Sequence, residues 1–96
     1  MKDISHDVVM TDIFRKDPAY AAALLNDILE DGDQAELLIA LRQMAQAFGG
    51  VAKEANLNPT QLYRTLSAKG NPAVSNLAAI LRAMGLRLAV QPIAHL

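Results

Sequence analysis

Between residues 49 and 72 the chain is broken so often that no long helix or strand can form there: Gly49-Gly50, then Asn56-Leu57-Asn58-Pro59, then Gly70-Asn71-Pro72. Glycine and asparagine admit left-handed backbone, while proline removes an amide donor and disfavours helical geometry in the residue before it. The pieces left between these breaks, about 50–55 and 59–67, are shorter than the ~12 residues at which an isolated helix becomes even marginal in water. They can hold only by packing on the rest of the chain, so the region is predicted to be a bundle of short helices joined by tight turns.

The flanking segments supply something to pack against. Asp17-Pro18 places a capping carboxylate and a first-turn proline ahead of an alanine-rich stretch, which predicts a helix from 17 to about 31, stopped by Gly32. Asp33 with Glu36 at the capping-box spacing opens a second helix to about Phe48. Its apolar stripe is Leu37, Leu41, Met44 and Phe48, with Leu38 and Ala45 beside it. A last helix covers about 73–84, with Leu77, Ile80, Leu81 and Met84 inward and Gly85 just past its end. Leu86, Leu88 and Val90 then alternate with other residues before Pro92, a period of two that predicts a short strand needing a partner: the arm, a second copy, or another protein. Residues 1–16 show no clean period and are read as an extended or partly ordered arm ahead of one domain, 17–96. Ninety-six residues that are 52% hydrophobic suffice for one core and no second domain.

The chain carries no cysteine, which excludes disulfides, thiolate metal sites and a thiol nucleophile. No apolar run approaches the ~20 residues that span a bilayer, and no signal-peptide pattern opens the chain, so a soluble, cytoplasmic protein with no membrane contact is expected. Charge is unevenly distributed. Residues 1–36 hold nine acids against three bases, a net of −6, whereas residues 37–96 hold six bases against Glu54 alone, a net of +5. Such a split fits two surfaces with different partners, one of them polyanionic, or simply two solvated faces.

The most informative run is Val51 to Ser67. Two helices crossing steeply need a small residue where they approach, supplied by Ala52, and an apolar residue beyond the turn, supplied by Leu57. Asn56 suits positive φ at the turn, Asn58 caps the second helix, Pro59 starts it, Gln61 can return to the Asn58 amide, and Leu62 and Leu66 close the core beneath. This pattern predicts a helix-turn-helix over 50–67 that presents Thr60, Gln61, Tyr63 and Arg64 to solvent. Glutamine can pair with adenine and arginine with guanine in the major groove of double-stranded DNA. Lys53, Lys69 and Asn71 flank this surface and suit phosphate contacts. The same spacing also serves ordinary bundle packing or a protein-binding module.

Leu57 to Ser67, Gly70-Asn71-Pro72 and Leu81 to Val90 together resemble the addiction-module antidote family of lambda-repressor-like proteins, over about residues 17–92. That resemblance implies an all-α, five-helix helix-turn-helix bundle with a short C-terminal β-strand. It implies an antitoxin of the HigA type that neutralises a RelE/HigB-like toxin and represses its own operon, with recognition positions at Asn58, Thr60, Gln61, Tyr63 and Arg64. One departure is Ala73, which opens the last helix where serine or threonine would cap better.

Other candidates are weaker. His6 and His95 lie near opposite ends, and Ser5, Ser67 and Ser75 have no histidine and acid at a nucleophile motif, so no enzyme and no cofactor are expected. Asp27, Glu30, Asp31 and Asp33 lack calcium-loop spacing and read as a solvated helix end, or as a docking face for a basic partner. A homodimer on a palindromic operator is the leading expectation. A protein-interaction module without DNA binding, or a stand-alone repressor without a toxin, is the alternative.

Overall fold

The computed structural model describes residues 16–94; the arm up to Arg15, with Ser5 and His6, and His95 lie outside them. Among the described residues the fold is all-α. Its helices are α1 (Pro18–Asp31), α2 (Gln34–Phe48), α3 (Val51–Glu54), α4 (Pro59–Thr65) and α5 (Val74–Ala83). None is long and apolar enough to cross a membrane.

The two long helices start on the carboxylates that the sequence places there. Asp17 Oδ1 accepts from the Tyr20 amide at 3.3 Å with Pro18 in the first turn, and Asp33 Oδ1 accepts from the Glu36 amide at 2.8 Å. Gly32 separates them for a steric reason: a Cβ there would press on the Ile28 carbonyl oxygen and the Glu36 carboxylate. The two helices pack on each other, α2 continues through Gly49 and Gly50, at φ 78° and 73°, into α3, and α3 packs on both α4 and α5.

The core lies where these contacts converge. Leu38, Leu41, Leu62, Leu66, Ile80 and Val51 are essentially sealed from solvent, with Ala45, Met44, Leu81 and Met84 completing the layer. The inward side of α2 is therefore centred on Leu38, Leu41 and Ala45. Leu37 and Phe48, expected on the central stripe, are half-buried instead. Leu37 is rotated toward a separate groove of about 740 Å³ bounded by Leu25 and Leu29 of α1, Leu77 and Leu81 of α5, and the tail beyond residue 86.

That tail differs from the rest. Among the described residues no β-ladder forms, and the segment after Leu86 is neither helix nor strand. The alternation of Leu86, Leu88 and Val90 thus has no partner strand among the described residues of this single chain. The short helices are also a residue or two tighter than their breakers allow: α3 spans four residues and α4 stops at Thr65, where Ser67 Oγ donates to the Arg64 carbonyl at 2.8 Å.

At the start of α5, Ala73 has the extended geometry of a cap (φ −64°, ψ 150°) but makes no side-chain bond, and it is exposed. Ala73→Ser is expected to stabilise the fold by about 1 kcal/mol, a rise in Tm of about 4–8 °C. Thermal unfolding followed by circular dichroism checks this; an unchanged or lower Tm contradicts it.

Candidate nucleic-acid interface

The segment between α3 and α4 is shaped by one left-handed residue. Asn56, at φ 58°, is the sole non-glycine residue with positive φ among those described. Its amide donates to the Lys53 carbonyl at 3.1 Å, and the Leu57 amide donates to the Ala52 carbonyl at 2.8 Å. This crossed pair is the Schellman closure, which satisfies the last carbonyls of a helix while reversing the chain. It returns Leu57 to the surface of the core, half-buried, three residues after α3 has ended.

The chain then restarts on Asn58. Its Oδ1 accepts from the amides of Thr60 at 2.8 Å and Gln61 at 3.3 Å, and Pro59 occupies the first turn. Leu62 and Leu66, one turn apart and both fully buried, hold the inner side of α4. Helical spacing then decides what faces outward: Thr60, Gln61 and Arg64 are exposed on one side. Asn58 has its side-chain oxygen committed to the cap, which leaves the Nδ2 amide as its donor toward a ligand.

Tyr63 occupies a different position from the one expected for it. It is half-buried against the core, and the guanidinium carbon of Arg42 on α2 stands 5.9 Å from its ring centroid, a cation–π distance. Arg42 thereby brings another cation to the edge of α4, which the spacing of residues 50–67 could not show. Lys53 is exposed on α3, and Lys69 and Asn71 are exposed in the loop after α4. That loop is tightly built: the Gly70 amide donates to the Ser67 carbonyl at 2.8 Å, and a Cβ at Gly70 would collide with the Thr65 carbonyl. Gln34 Nε2, from the first turn of α2, donates to the Gly70 carbonyl at 3.3 Å and ties the loop to the start of α2.

The structure thus gathers Thr60, Gln61 and Arg64 on one face of α4, with Lys53 before it and Lys69 and Asn71 after it. Asp27, Glu30, Asp31 and Asp33 lie elsewhere, at the exposed end of α1 and the start of α2. Among the described residues no three acidic or histidine side chains come together as a metal-ligand set.

A family model described as "Probable addiction module antidote protein" matches residues 6–92, nearly the whole chain. This chain belongs to the addiction-module antidote family. A relative in Haemophilus influenzae (strain KW20 / Rd), described as an uncharacterized protein, is 32% identical over 69 residues, covering 70% of this chain and 71% of the relative. No solved structure matches. An antidote is by definition the counterpart of a toxin, and the antidote family is not an enzyme family.

In this chain the α3–α4 geometry rests on Asn56. Asn56→Val, which forces a β-branched side chain into positive φ, is expected to cost about 1–3 kcal/mol, while Asn56→Gly should be neutral or mildly stabilising. Urea denaturation of both variants tests the assignment; equal stability of the two would contradict it.

Proposed function

We propose that this antidote is the antitoxin of a type II toxin–antitoxin module that also represses its own operon, with α3, the Asn56 turn and α4 acting as a lambda-repressor-like helix-turn-helix. The observation that carries the reading is the outward face of α4: an amide and a guanidinium side chain, Gln61 and Arg64, exposed beside Thr60 on a helix whose inner face is locked by Leu62 and Leu66. Gln61 and Arg64 read base edges in the major groove, Thr60 and the Asn58 Nδ2 amide contact the adjacent backbone, and Tyr63 supports the helix while Arg42 stacks on it. Lys53, Lys69 and Asn71 hold phosphates on either side.

Phosphate neutralisation explains why a chain with a net charge of −1 can bind a polyanion. The basic residues of the second half lie beyond the acidic first third in sequence, and binding depends on local rather than total charge. The acidic residues on α1 and at the start of α2, exposed Asp27, Glu30 and Asp31 among them, serve the second partner, a basic RelE/HigB-like toxin. Two copies bind a palindromic operator with recognition helices about 34 Å apart. No cofactor takes part.

Two substitutions separate base reading from phosphate holding. Arg64→Ala should cost about 1–3 kcal/mol of binding to the chain's own promoter DNA and relax discrimination at one base pair, whereas Lys53→Ala should weaken all sequences alike and lower the salt slope by about one. A gel shift at about 150 mM salt, where non-specific binding is weak, reads the first, and a salt titration reads the second. A promoter shift unaffected by Gln61→Ala combined with Arg64→Ala would overturn the assignment of α4.

A further inference from the structure

We infer that Arg42, on α2 and outside the helix-turn-helix, is a DNA-binding residue: together with the Tyr63 hydroxyl it grips a backbone phosphate beside α4. The inference rests on the DNA-binding reading above and adds to it a contact from an element that the α3–α4 motif does not contain.

Two contacts place α2 along the flank of α4. Gln34, Leu38 and Arg42 stand four residues apart on one ridge of α2. At one end Gln34 donates to Gly70 in the loop after α4, in the middle Leu38 is buried in the core, and at the other end Arg42 lies over the Tyr63 ring at 5.9 Å. The ridge spans about 12 Å. Arg42 therefore stands on the same flank of α4 as Lys69, the neighbour of Gly70, while Lys53 belongs to α3.

The stack on Tyr63 leaves the binding capacity of Arg42 unspent. Stacking occupies the flat face of a guanidinium, whereas its N–H groups point outward in the plane, a fixed fork of donors. Arg42 is exposed, and among the described residues it makes no hydrogen bond and no ion pair. The one acid within α2, Glu36, is six positions away, about 120° around the helix. Tyr63 is available too. Its ring is half-buried, yet its hydroxyl has no partner among the described residues and is not sealed from solvent.

A planar cation held in one place beside a free hydroxyl, with no carboxylate to neutralise it, suits an oxyanion that accepts several hydrogen bonds at once. Lys53, Arg64 and Lys69 likewise have no ion pair among the described residues. Separate, unneutralised cations distributed around one helix match the repeated single charges of a nucleic-acid backbone better than one compact anion.

Fluorescence anisotropy of the full chain on its promoter DNA and on a scrambled duplex, between about 50 and 200 mM salt, tests this. Arg42→Met keeps an unbranched stem over the ring and removes the charge. It should lower the salt slope by about one on both duplexes, so that about 3- to 4-fold less affinity is lost over that range. Tyr63→Phe keeps the ring and removes the hydroxyl. It should weaken both duplexes by about 2- to 12-fold at an unchanged slope, because a neutral donor displaces no counterion. Thermal unfolding of each variant is followed in parallel. An arginine that only props α4 would, on change to Met, lower Tm and promoter affinity and leave the slope as it was, and that result overturns the proposal. So does an unchanged slope with loss of toxin binding, which would assign Arg42 to the other partner. The underlying reading fails separately: if the unaltered chain binds both duplexes equally and Arg42→Met still lowers the slope, base reading is refuted and the phosphate contact stands. Specific promoter binding whose slope Arg42→Met leaves unchanged refutes the phosphate contact alone.

Discussion

Everything in this fold depends on one small apolar contact zone in which Leu38 and Leu41 of α2, Leu62 and Leu66 at α4, and Ile80 of α5 exclude water almost completely. A four-residue α3 and a seven-residue α4 cannot nucleate by themselves, because the first turn fixes several dihedrals for a single hydrogen bond. Burying a leucine contributes about 1.5–3 kcal/mol, which is the scale needed to offset that cost. The same burial determines orientation. With Leu62 and Leu66 pinned inward, α4 has no freedom to rotate, and Thr60, Gln61 and Arg64 face outward as a consequence of the core. Any reading of a groove by these side chains is therefore specified by residues that never touch it.

The chain uses one backbone device twice, with opposite results. After α3 the Schellman closure at Asn56 leads into Asn58 and Pro59, which immediately cap and restart a helix, so the reversal becomes a corner between two helices. After α5 the same closure at Gly85 leads into a run of alternating side chains and then Pro92, so the reversal leads into a tail that is neither helix nor strand. In both cases the residue past the left-handed position, Leu57 or Leu86, is apolar and packs back on the core. The residues downstream of each closure, a cap and a proline in one case and an uncapped alternating run in the other, decide whether the chain folds on or is left exposed.

The residues whose roles could be read from the sequence are those that act locally. Asp17, Asp33, Asn58, Asn56, Gly32, Gly49 and Gly85 each make or permit bonds within a few positions, and each sits where spacing placed it. Contacts across the bundle were hidden. Gln34 reaches Gly70 over 36 positions, and Arg42 meets Tyr63 only because α2 and α4 share a core. The half-burial of Leu37 and Phe48 has a similar origin. A stripe drawn on α2 alone cannot reveal that one helix packs on α1 along one edge and on α3 along another, so that the centre of burial moves to Leu38 and Ala45. The capping box expected from Gln61 is a smaller case: the bonds at the start of α4 are those of Asn58, and Gln61 remains exposed.

The groove connects features that lie far apart in sequence. Leu25 and Leu29 of α1, which also carries the acidic residues Asp27, Glu30 and Asp31, form one wall, while Leu88 and Ile93 of the tail form another. A ligand seated against α1 and a strand laid along the tail therefore meet at the same apolar surface. Because α5 leads directly into that tail and also packs on α3, one short helix joins the groove to the start of the α3–α4 corner.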